Sequence, residues 1–330
     1  MVSQAKTRRE EHFEARSPQP NAGWFLHHPD DIVPSGMESF IRVAIPVVTF
    51  FLTVLVGLDM SRAAVGTLIH RSRDLMVGVA SALALVPLLA WGTVHVFALP
   101  RGLAASFLLT AACPTGTMAG VHTYLARGNT AFAVTLVACS CILASVSLPA
   151  FLWIFSQGEA LSFSPPWLAL LRQVALLLVL PVGLGMLIRR AAPGRVDGSR
   201  RPLRILGVSA ILVLVAIVIA SDPRSFAAGL GAWGPVSLFT LATLVSGDAV
   251  ARLSGLDAGD RIGLVLHLPV RNLGIATAIA LGVLHRTDYA AFAAAFFVVQ
   301  TTILLLAVRF YPFRRPPRVQ PEVGDSPHGG

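Results

Sequence analysis

Nine long apolar stretches constrain the fold of this chain more than any other feature of its sequence. A helix rises about 1.5 Å per residue, so each stretch is long enough to cross the roughly 30 Å hydrocarbon core of a bilayer. The pattern therefore predicts an all-α integral membrane protein with nine transmembrane helices. The predicted spans are 38–58, 75–99, 102–126, 130–156, 166–189, 203–221, 226–250, 261–285 and 288–311.

Composition supports the same class. Of the 330 residues, 55% are hydrophobic and 13% are charged, whereas soluble domains average about 25% charged residues. The net charge of +9 would also suit a nucleic-acid-binding protein, but the arginines are spread over short loops between apolar stretches. We therefore expect a lipid bilayer as a partner and no nucleic acid. The three cysteines, Cys113, Cys139 and Cys141, lie inside apolar stretches and predict neither a disulfide framework nor a metal site.

The loop arginines predict the orientation. With the N-terminus outside, the external loops hold only Arg101, Arg224 and Arg286. Cytoplasmic loops carry the excess of basic residues, so the C-terminus is expected in the cytoplasm. The chain has one lysine among its 26 lysines and arginines, a usage that resembles proteins of GC-rich bacteria and indicates a cell inner membrane. The arginines on the predicted cytoplasmic side are Arg62, Arg71, Arg73, Arg127, Arg189, Arg190, Arg195, Arg200, Arg201, Arg204, Arg252, Arg261, Arg309, Arg314, Arg315 and Arg318.

The predicted organisation has three parts. Residues 1–37 read as a disordered N-terminal tail without the apolar core of a secretion signal. Residues 38–312 form the transmembrane transporter domain, and residues 313–330 read as a disordered cytoplasmic tail.

Two of the predicted spans are interrupted by proline and glycine. Pro114 and Gly116 lie within the third stretch, and Pro269 and Gly274 lie within the eighth. Proline removes a backbone donor, and the freed groups must find partners inside the protein or in a water-filled cavity. Interrupted spans at corresponding places in two halves of a chain point to a transporter's binding site. Two kinked helices without a binding role are the alternative.

The two halves also match in order. In each half, one unbroken span, one broken span and a second unbroken span follow one another, as spans two to four and seven to nine. An odd number of crossings separates the triplets, so they run in opposite directions through the membrane. This predicts inverted repeats in which two discontinuous helices cross, the architecture of alternating access.

Several motifs resemble the bile acid:sodium symporter family. The run from Cys113 to Thr117 reads C-P-T-G-T, and Thr123 to Asn129 reads T-Y-L-A-R-G-N. Asn272 to Ala276 reads N-L-G-I-A, and Gly57 to Ser61 reads G-L-D-M-S. The resemblance covers about residues 38–312 and implies a core bundle of inverted triplets beside a smaller panel bundle. It also implies an organic anion substrate and coupling to sodium.

The positions that match the family's sodium ligands are substituted here. Backbone oxygens remain, but alanine, glycine and valine offer no side-chain oxygen, and a guanidinium repels sodium. The resemblance thus implies sodium coupling while these residues argue against complete sodium sites; proton coupling and uncoupled transport stay open. The matching positions are Ala82, Ala119, Gly120, Ala133, Val137, His267 and Arg271.

Arg271 and His267 stand out as ionisable residues at bilayer depth. Burying such a charge costs at least about 2.5–3.5 kcal/mol, so its presence indicates a function. We expect Arg271 to replace the sodium charge as a fixed cation, with pairing to Asp248 as an option, and His267 to titrate near neutral pH. A structural hydrogen bond for each is the alternative. The predicted substrate-binding residues are Cys113, Thr115, Gly116, Thr117, Gly120, His122, His267, Arg271 and Asn272.

The sequence therefore predicts a secondary transporter for a small organic anion. A conventional sodium symporter that uses backbone oxygens, an arsenite-type permease and a transport-incompetent sensor or scaffold are the alternatives. No nucleophile–base pair, phosphate-binding loop, cofactor motif or cluster of metal ligands occurs in the sequence, so an enzyme is not predicted.

Overall fold

The computed structural model describes residues 35–60, 66, 70–157 and 167–310. The two predicted tails lie almost wholly outside this part of the chain. All described secondary structure is helical. The helices are α1 Ser35–Asp59, α2 Ser72–Val96, α3 Arg101–Ala112, α4 Met118–Leu125, α5 Thr130–Gln157, α6 Trp167–Ala191, α7 Pro193–Gly198, α8 Arg200–Ser221, α9 Pro223–Leu230, α10 Trp233–Leu253, α11 Ala258–His267, α12 Leu273–Gly282 and α13 Thr287–Phe310.

The all-helical membrane class is confirmed. Among the described residues, five helices are long and apolar enough to cross a bilayer, or six if α8 and α9 count as one bent span. The five are α2, α5, α6, α10 and α13. Many of their large apolar side chains are exposed, such as Val146, Leu168 and Val245, which suits contact with lipid rather than water.

The seventh predicted span begins too early. The sequence placed it at 226–250, but the long helix α10 begins at Trp233, and the residues before it form the separate short helix α9. Asp222 caps α9 by accepting a hydrogen bond from the backbone N–H of Ser225 (2.8 Å), and Pro223 follows at the first helical position. Apolar composition alone does not show where such a capped helix begins.

The third and eighth apolar stretches are both interrupted. The first leaves an extended segment between α3 and α4, at residues 113–117, and the second leaves residues 268–272 between α11 and α12. Each half is too short to cross a bilayer by itself. The interruptions therefore leave backbone groups without intrahelical partners, and these groups need partners elsewhere in the protein.

Contacts between helices follow the same scheme in both halves. α2 packs on α3 and α5, and α10 packs on α11 and α13. α4 contacts α5 as α12 contacts α13, while α3 packs on α13 and α5 packs on α11. Outside these eight helices, α1 packs on α6 and α8, and it also packs on α12. A ring cluster of Phe107, Phe239, Phe292 and Phe296 fills the centre between α3, α10 and α13.

Candidate transport site

The two interrupted segments lie against each other. The backbone N–H of Asn272 donates to the carbonyl oxygen of Pro114 (2.9 Å). A Cβ added at Gly116 would lie 3.2 Å from the carbonyl oxygen of Arg271 and 3.3 Å from the Cα of Asn272. Only glycine lets the two backbones approach this closely without displacement. The site is therefore built where the two breaks meet.

Arg271 lies at this meeting point with its guanidinium bound to oxygen atoms of both breaks. Its Nη1 donates to the carbonyl oxygen of Cys113 (3.1 Å), and its Nη2 donates to the hydroxyl of Thr115 (3.3 Å). Nη2 also donates to the carbonyl oxygen of Leu268, and Nε donates to that of Pro269 (3.4 Å). The side chain is 5% exposed. One buried cation thus joins four oxygen atoms that carry no net charge.

The option of an ion pair with Asp248 is wrong. Asp248 accepts hydrogen bonds from Arg252 (2.8 Å) and Arg261 (2.6 Å) at the end of α10. Within the described part of the chain, no carboxylate forms a salt bridge with Arg271. Asp248 is thus paired with two nearby arginines at the helix ends. The apolar pattern of the sequence alone did not show this pairing.

Two further polar residues support the crossing, and sequence reasoning missed both. The Gln300 amide oxygen accepts from the backbone N–H of Arg271 (3.3 Å), and its amide nitrogen donates to the carbonyl oxygen of Pro269. The Ser140 hydroxyl accepts from the backbone N–H of Thr115 (3.0 Å). These side chains satisfy backbone groups that the interruptions leave without intrahelical partners. A polar residue at mid-span in an otherwise apolar helix was the available signal.

His267 joins the first break through Thr115. Its Nε2 lies 3.2 Å from the Thr115 hydroxyl, while its Nδ1 is buried without a hydrogen-bond partner among the described residues. The ring is 1% exposed. Cys113, Thr115, His267 and Arg271 are thus the predicted site residues that the structure brings into one polar cluster.

Three other predicted site residues lie at or near the beginnings of the half-helices α4 and α12. Asn272 caps α12, because its side-chain oxygen accepts from the N–H of Ile275 (3.2 Å). Thr117 is the N-cap residue of α4. Gly120 packs toward Val134 on α5. These positions shape the half-helices around the crossing.

His122 lies apart from this cluster. It is on α4, 1% exposed, and neither ring nitrogen has a hydrogen-bond partner among the described residues. It does not line the pocket that reaches Arg271. A buried polar side chain without hydrogen-bond partners lowers the stability of the fold. His122 is therefore a second buried polar residue in the core, separate from the cluster around Arg271.

A pocket between α2, α3 and α5 reaches the crossing. Arg271, His267, Cys113 and Ser140 line it, together with apolar residues of α2 and α5. The cavity volume of the pocket, without the space at its open mouth, is about 30 Å³. Ala82 faces this space, so an alanine stands where the resemblance places a polar ligand.

The remaining family sodium positions also carry no side-chain oxygen. Ala119 and Ala133 are fully buried, and Val137 is 2% exposed. The oxygens that face a cation here are the carbonyls of Cys113, Leu268 and Pro269 and the hydroxyl of Thr115, and the guanidinium of Arg271 already occupies them.

An ionic cluster joins the beginnings of α2, α5 and α11. Arg71 contacts Asp257 (2.5 Å) and Asp260 (2.6 Å), and Asn129 donates to Asp260 (2.7 Å). Burial raises the pKa of Asp260 against the opposing effects of Asn129 and Arg71. Burial also acts to raise the pKa of Asp257, but hydrogen bonds from Asp260 N–H and Arg71 outweigh it and the pKa falls. The hydrogen bond with Asp257 raises the pKa of Arg71.

Comparison with known proteins shows which family the sequence is similar to. Residues 46–228 match the Sodium Bile acid symporter family. The uncharacterized sodium-dependent transporter YocS of Bacillus subtilis is 25% identical over 245 residues, which cover 74% of each chain. The probable chloroplastic sodium/metabolite cotransporter BASS1 of Oryza sativa is 24% identical over 225 residues, covering 67% of this chain and 55% of that protein. The sodium/bile acid cotransporter 4 of Mus musculus is 25% identical over 256 residues, covering 74% and 54%. The match thus spans little more than half of the rice and mouse proteins.

Proposed function

The chain belongs to the sodium bile acid symporter family, and from this we propose that it is a secondary active transporter that moves a small organic anion by alternating access. The family and its relatives are transporters rather than enzymes. The chain is a multi-pass membrane protein. Substrate and coupling are our proposal.

The observation that carries the proposal is the buried guanidinium of Arg271 at the crossing. Its partners are uncharged oxygens from both broken helices. A buried charge is stable only when polar partners or an opposite charge compensate it. An anionic substrate that approaches the crossing would gain from this fixed positive charge. The N-terminal ends of α4 and α12, where backbone N–H groups lack intrahelical partners, add to the attraction.

The same guanidinium argues against sodium coupling. Carbonyl and hydroxyl oxygens are the ligands that hard cations take, and at this crossing Arg271 holds four of them. A sodium ion would meet both occupied ligands and a like charge. Transport is then uncoupled or coupled to protons. The buried histidines His267 and His122 are the residues that would carry a proton.

A conventional sodium symporter is the second candidate. The names of the relatives favour it, since they describe sodium-dependent transport and sodium cotransport. In this case backbone oxygens would bind sodium and Arg271 would have to move aside. A sensor or scaffold that does not transport is the third candidate, and no observation favours it.

The topology is part of the proposal. We propose nine crossings: α1, α2, the broken pair α3 and α4, α5, α6, α8, α10, the broken pair α11 and α12, and α13. The matched contacts of the two triplets support inverted repeats. The arginine distribution supports an N-terminus outside and a C-terminus in the cytoplasm. The Bacillus relative and the arginine usage support a bacterial inner membrane.

Thermal stabilisation of the purified protein by organic anions tests the proposal. The anions are screened at constant chloride, with sodium or with choline as the cation, from about pH 5.5 to 8, the range in which histidine titrates. We expect a stabilising anion whose effect is the same in sodium and in choline. Arg271→Gln should abolish that effect. Arg252→Gln should keep it, because Arg252 is exposed, pairs with Asp248 and does not line the pocket at the crossing.

A stabilising anion that requires sodium would overturn the proposed coupling and favour the conventional symporter. An anion that stabilises Arg271→Gln as well as the native protein would contradict the role given to Arg271.

A further inference from the structure

The pocket beside the crossing combines a buried positive charge with unused hydrogen-bond donors. A guanidinium has five N–H groups. The side chain of Arg271 makes four hydrogen bonds to described residues. Nη2 uses both of its N–H groups, Nε uses its one, and Nη1 uses one of two. One N–H on Nη1 therefore has no acceptor among the described residues, and Arg271 lines the pocket.

His267 lines the same pocket and has an unused ring nitrogen. Thr115 has one hydroxyl hydrogen, which goes either to Nε2 of His267 (3.2 Å) or to the His267 carbonyl oxygen (3.4 Å). In the first case Nε2 accepts, and a neutral ring then carries its proton on Nδ1. The buried Nδ1–H has no acceptor in the described part of the protein. An acceptor in the pocket would satisfy it.

Ser140 supplies a third donor on the pocket wall. Its oxygen accepts from the backbone N–H of Thr115 (3.0 Å), which leaves the hydroxyl hydrogen available. Among the hydrogen bonds of the described residues, none uses that hydrogen. When Thr115 donates to Nε2 of His267, three side chains with a free donor line one pocket, on α5, on α11 and in the second break.

The charge in the pocket is a single positive one. Of the pocket-lining residues, only Arg271 is permanently charged, and none is a carboxylate. The rest of the wall is mainly aliphatic, as at Val79, Leu83 and Leu143. A desolvated cation among apolar walls favours a monovalent anion over a divalent one, because the second charge would stay unpaired.

We propose that this pocket is a binding site for a small monovalent anion, such as chloride or a carboxylate group, held by Arg271, His267 and Ser140. The anion balances the guanidinium that replaces the family's sodium, so the inference rests on the proposed role of Arg271. The ion bound at this site would be negatively charged, whereas the family name describes the positively charged sodium ion.

A chloride titration tests the site by equilibrium binding alone. The purified protein is kept in choline gluconate, and choline chloride replaces it at constant ionic strength while the melting temperature is recorded. A ligand that binds only the folded state raises its stability with concentration. We expect a rise that tends to a plateau with chloride, bromide and formate. Gluconate and sulfate should give no such rise, because gluconate is bulky and sulfate is divalent.

A titration with formate distinguishes a site that binds only halide ions from a site that also binds carboxylate groups. If formate competes with chloride in a mixed titration, the site accepts a carboxylate group as well as a halide. If chloride binds and formate does not, the site is specific for halide. Either result supports a monovalent-anion site.

Two matched pairs of variants locate the site. Ser140→Ala removes a proposed ligand, and Ser145→Ala is its control on the same helix, since the Ser145 hydroxyl bonds to the Ile142 carbonyl oxygen (2.7 Å) and does not line the pocket. Ala82→Phe fills the pocket, and Ala84→Phe is its control on the exposed face of α2. We expect Ser140→Ala to raise the chloride Kd about 10- to 150-fold, as the loss of a hydrogen bond to a charged group does. Ala82→Phe should abolish the response.

Equal effects of chloride and gluconate on the native protein would overturn the proposal. So would a chloride response that survives both Ala82→Phe and Ser140→Ala. If Ala82→Phe does not fold, the comparison of Ser140→Ala with Ser145→Ala alone tests the location of the site. Chloride binding without any organic anion transport would instead contradict the proposed function and leave this site standing.

Discussion

Arg271 is a buried cation that the surrounding backbone solvates. Its hydrogen-bond acceptors are three carbonyl oxygens and one hydroxyl, which come from both interrupted segments. These dipoles offset part of the desolvation cost of the charge, while an opposite charge would offset more. The guanidinium thus holds the two breaks together and leaves a net positive charge at their crossing.

A second charged residue, Arg71, is expected to control how stability depends on pH. Arg71→Gln removes the cation that contacts Asp260, whose side chain is fully buried. The pKa of Asp260 is already raised by burial, and without Arg71 it rises further. A folded-state pKa above the unfolded value contributes stability that is present at low pH and is lost as pH rises through the folded-state pKa.

We therefore expect Arg71→Gln to cost about 1–3 kcal/mol at neutral pH, the range for a buried acceptor that loses its partner. The partial exposure of Arg71 places the cost toward the lower end. The fall in melting temperature should be larger at about pH 8 than at about pH 5. Arg73→Gln is the control, since Arg73 is exposed in the first turn of α2, next to Arg71 at the helix N-cap. An equal loss at both pH values would contradict the account of Asp260.

Sequence reasoning identified the ionisable residues of the crossing and missed its neutral ones. Arg271 and His267 stand out because charge is rare at bilayer depth. Gln300 and Ser140 are as close to the crossing, but uncharged polar residues are common in membrane helices, where they bond to their own helix backbone. Thr110, Thr135 and Thr240 do so here. Only the fold shows which polar side chain reaches another segment.

At the scale of the element, proline alone does not predict where a helix breaks. Pro46, Pro87 and Pro149 lie inside continuous helices, whereas Pro114 and Pro269 lie where helices are interrupted. The interrupted segments also contain polar residues or glycine, which provide other partners for the backbone. Combining these signals located both breaks from the sequence.

The π-helical turn within α6 was not predicted from the sequence. Residues Ala175–Val179 form a π-helical turn just before Pro181. Proline cannot donate to the preceding turn, and an extra residue in that turn relieves the clash of its ring. The apolar pattern across this helix is continuous, so the sequence gives the length of the span without its local geometry.

Helices α1 and α6 depend on two glycines for their close contact. A Cβ at Gly185 would lie 2.2 Å from the carbonyl oxygen of Val54, and a Cβ at Gly57 would lie 2.2 Å from that of Val182. The obstructing atoms are backbone, so the helices must separate if either glycine gains a side chain. Small residues permit such backbone contact between membrane helices.

We expect Gly185→Ala to destabilise the protein by about 1–3 kcal/mol, as overpacking does, measured as a lower melting temperature in detergent. Gly183→Ala is the matched control, because no atom outside the local helix backbone and the adjoining residues lies within 4 Å of a Cβ built there. That control should leave stability unchanged or raise it slightly, since alanine favours helix over glycine. Similar losses in both variants would show that the contact with α1 is not the cause.

At the scale of the whole molecule, a hydrogen bond connects α1 with the broken helix that contains α12. The Thr49 hydroxyl donates to the carbonyl oxygen of Gly274 (3.1 Å), and a Cβ at Gly274 would lie 2.8 Å from the Thr49 hydroxyl oxygen. In the proposed transporter, α1 belongs to the panel and α12 to the core. This contact then breaks and reforms as the two bundles move relative to each other.

The sequence predicted the helical class and both breaks, while the packing of the bundles came from the structure. The order of spans indicated two triplets, but only the contacts show α3 on α13 and α5 on α11. The short helix α9 was merged into a span because its residues are apolar. Apolar composition records burial or contact with lipid, and it does not record which helices touch.

Uptake into proteoliposomes tests the central claim most directly. Protein is reconstituted and loaded with sodium or with choline on either side, and uptake of the anion found in the thermal screen is measured with chloride held constant. The fixed cation of Arg271 predicts the same initial rate with and without an inward sodium gradient, and a loss of uptake in Arg271→Gln. A rate that rises severalfold with the sodium gradient would contradict the claim and identify a conventional sodium symporter.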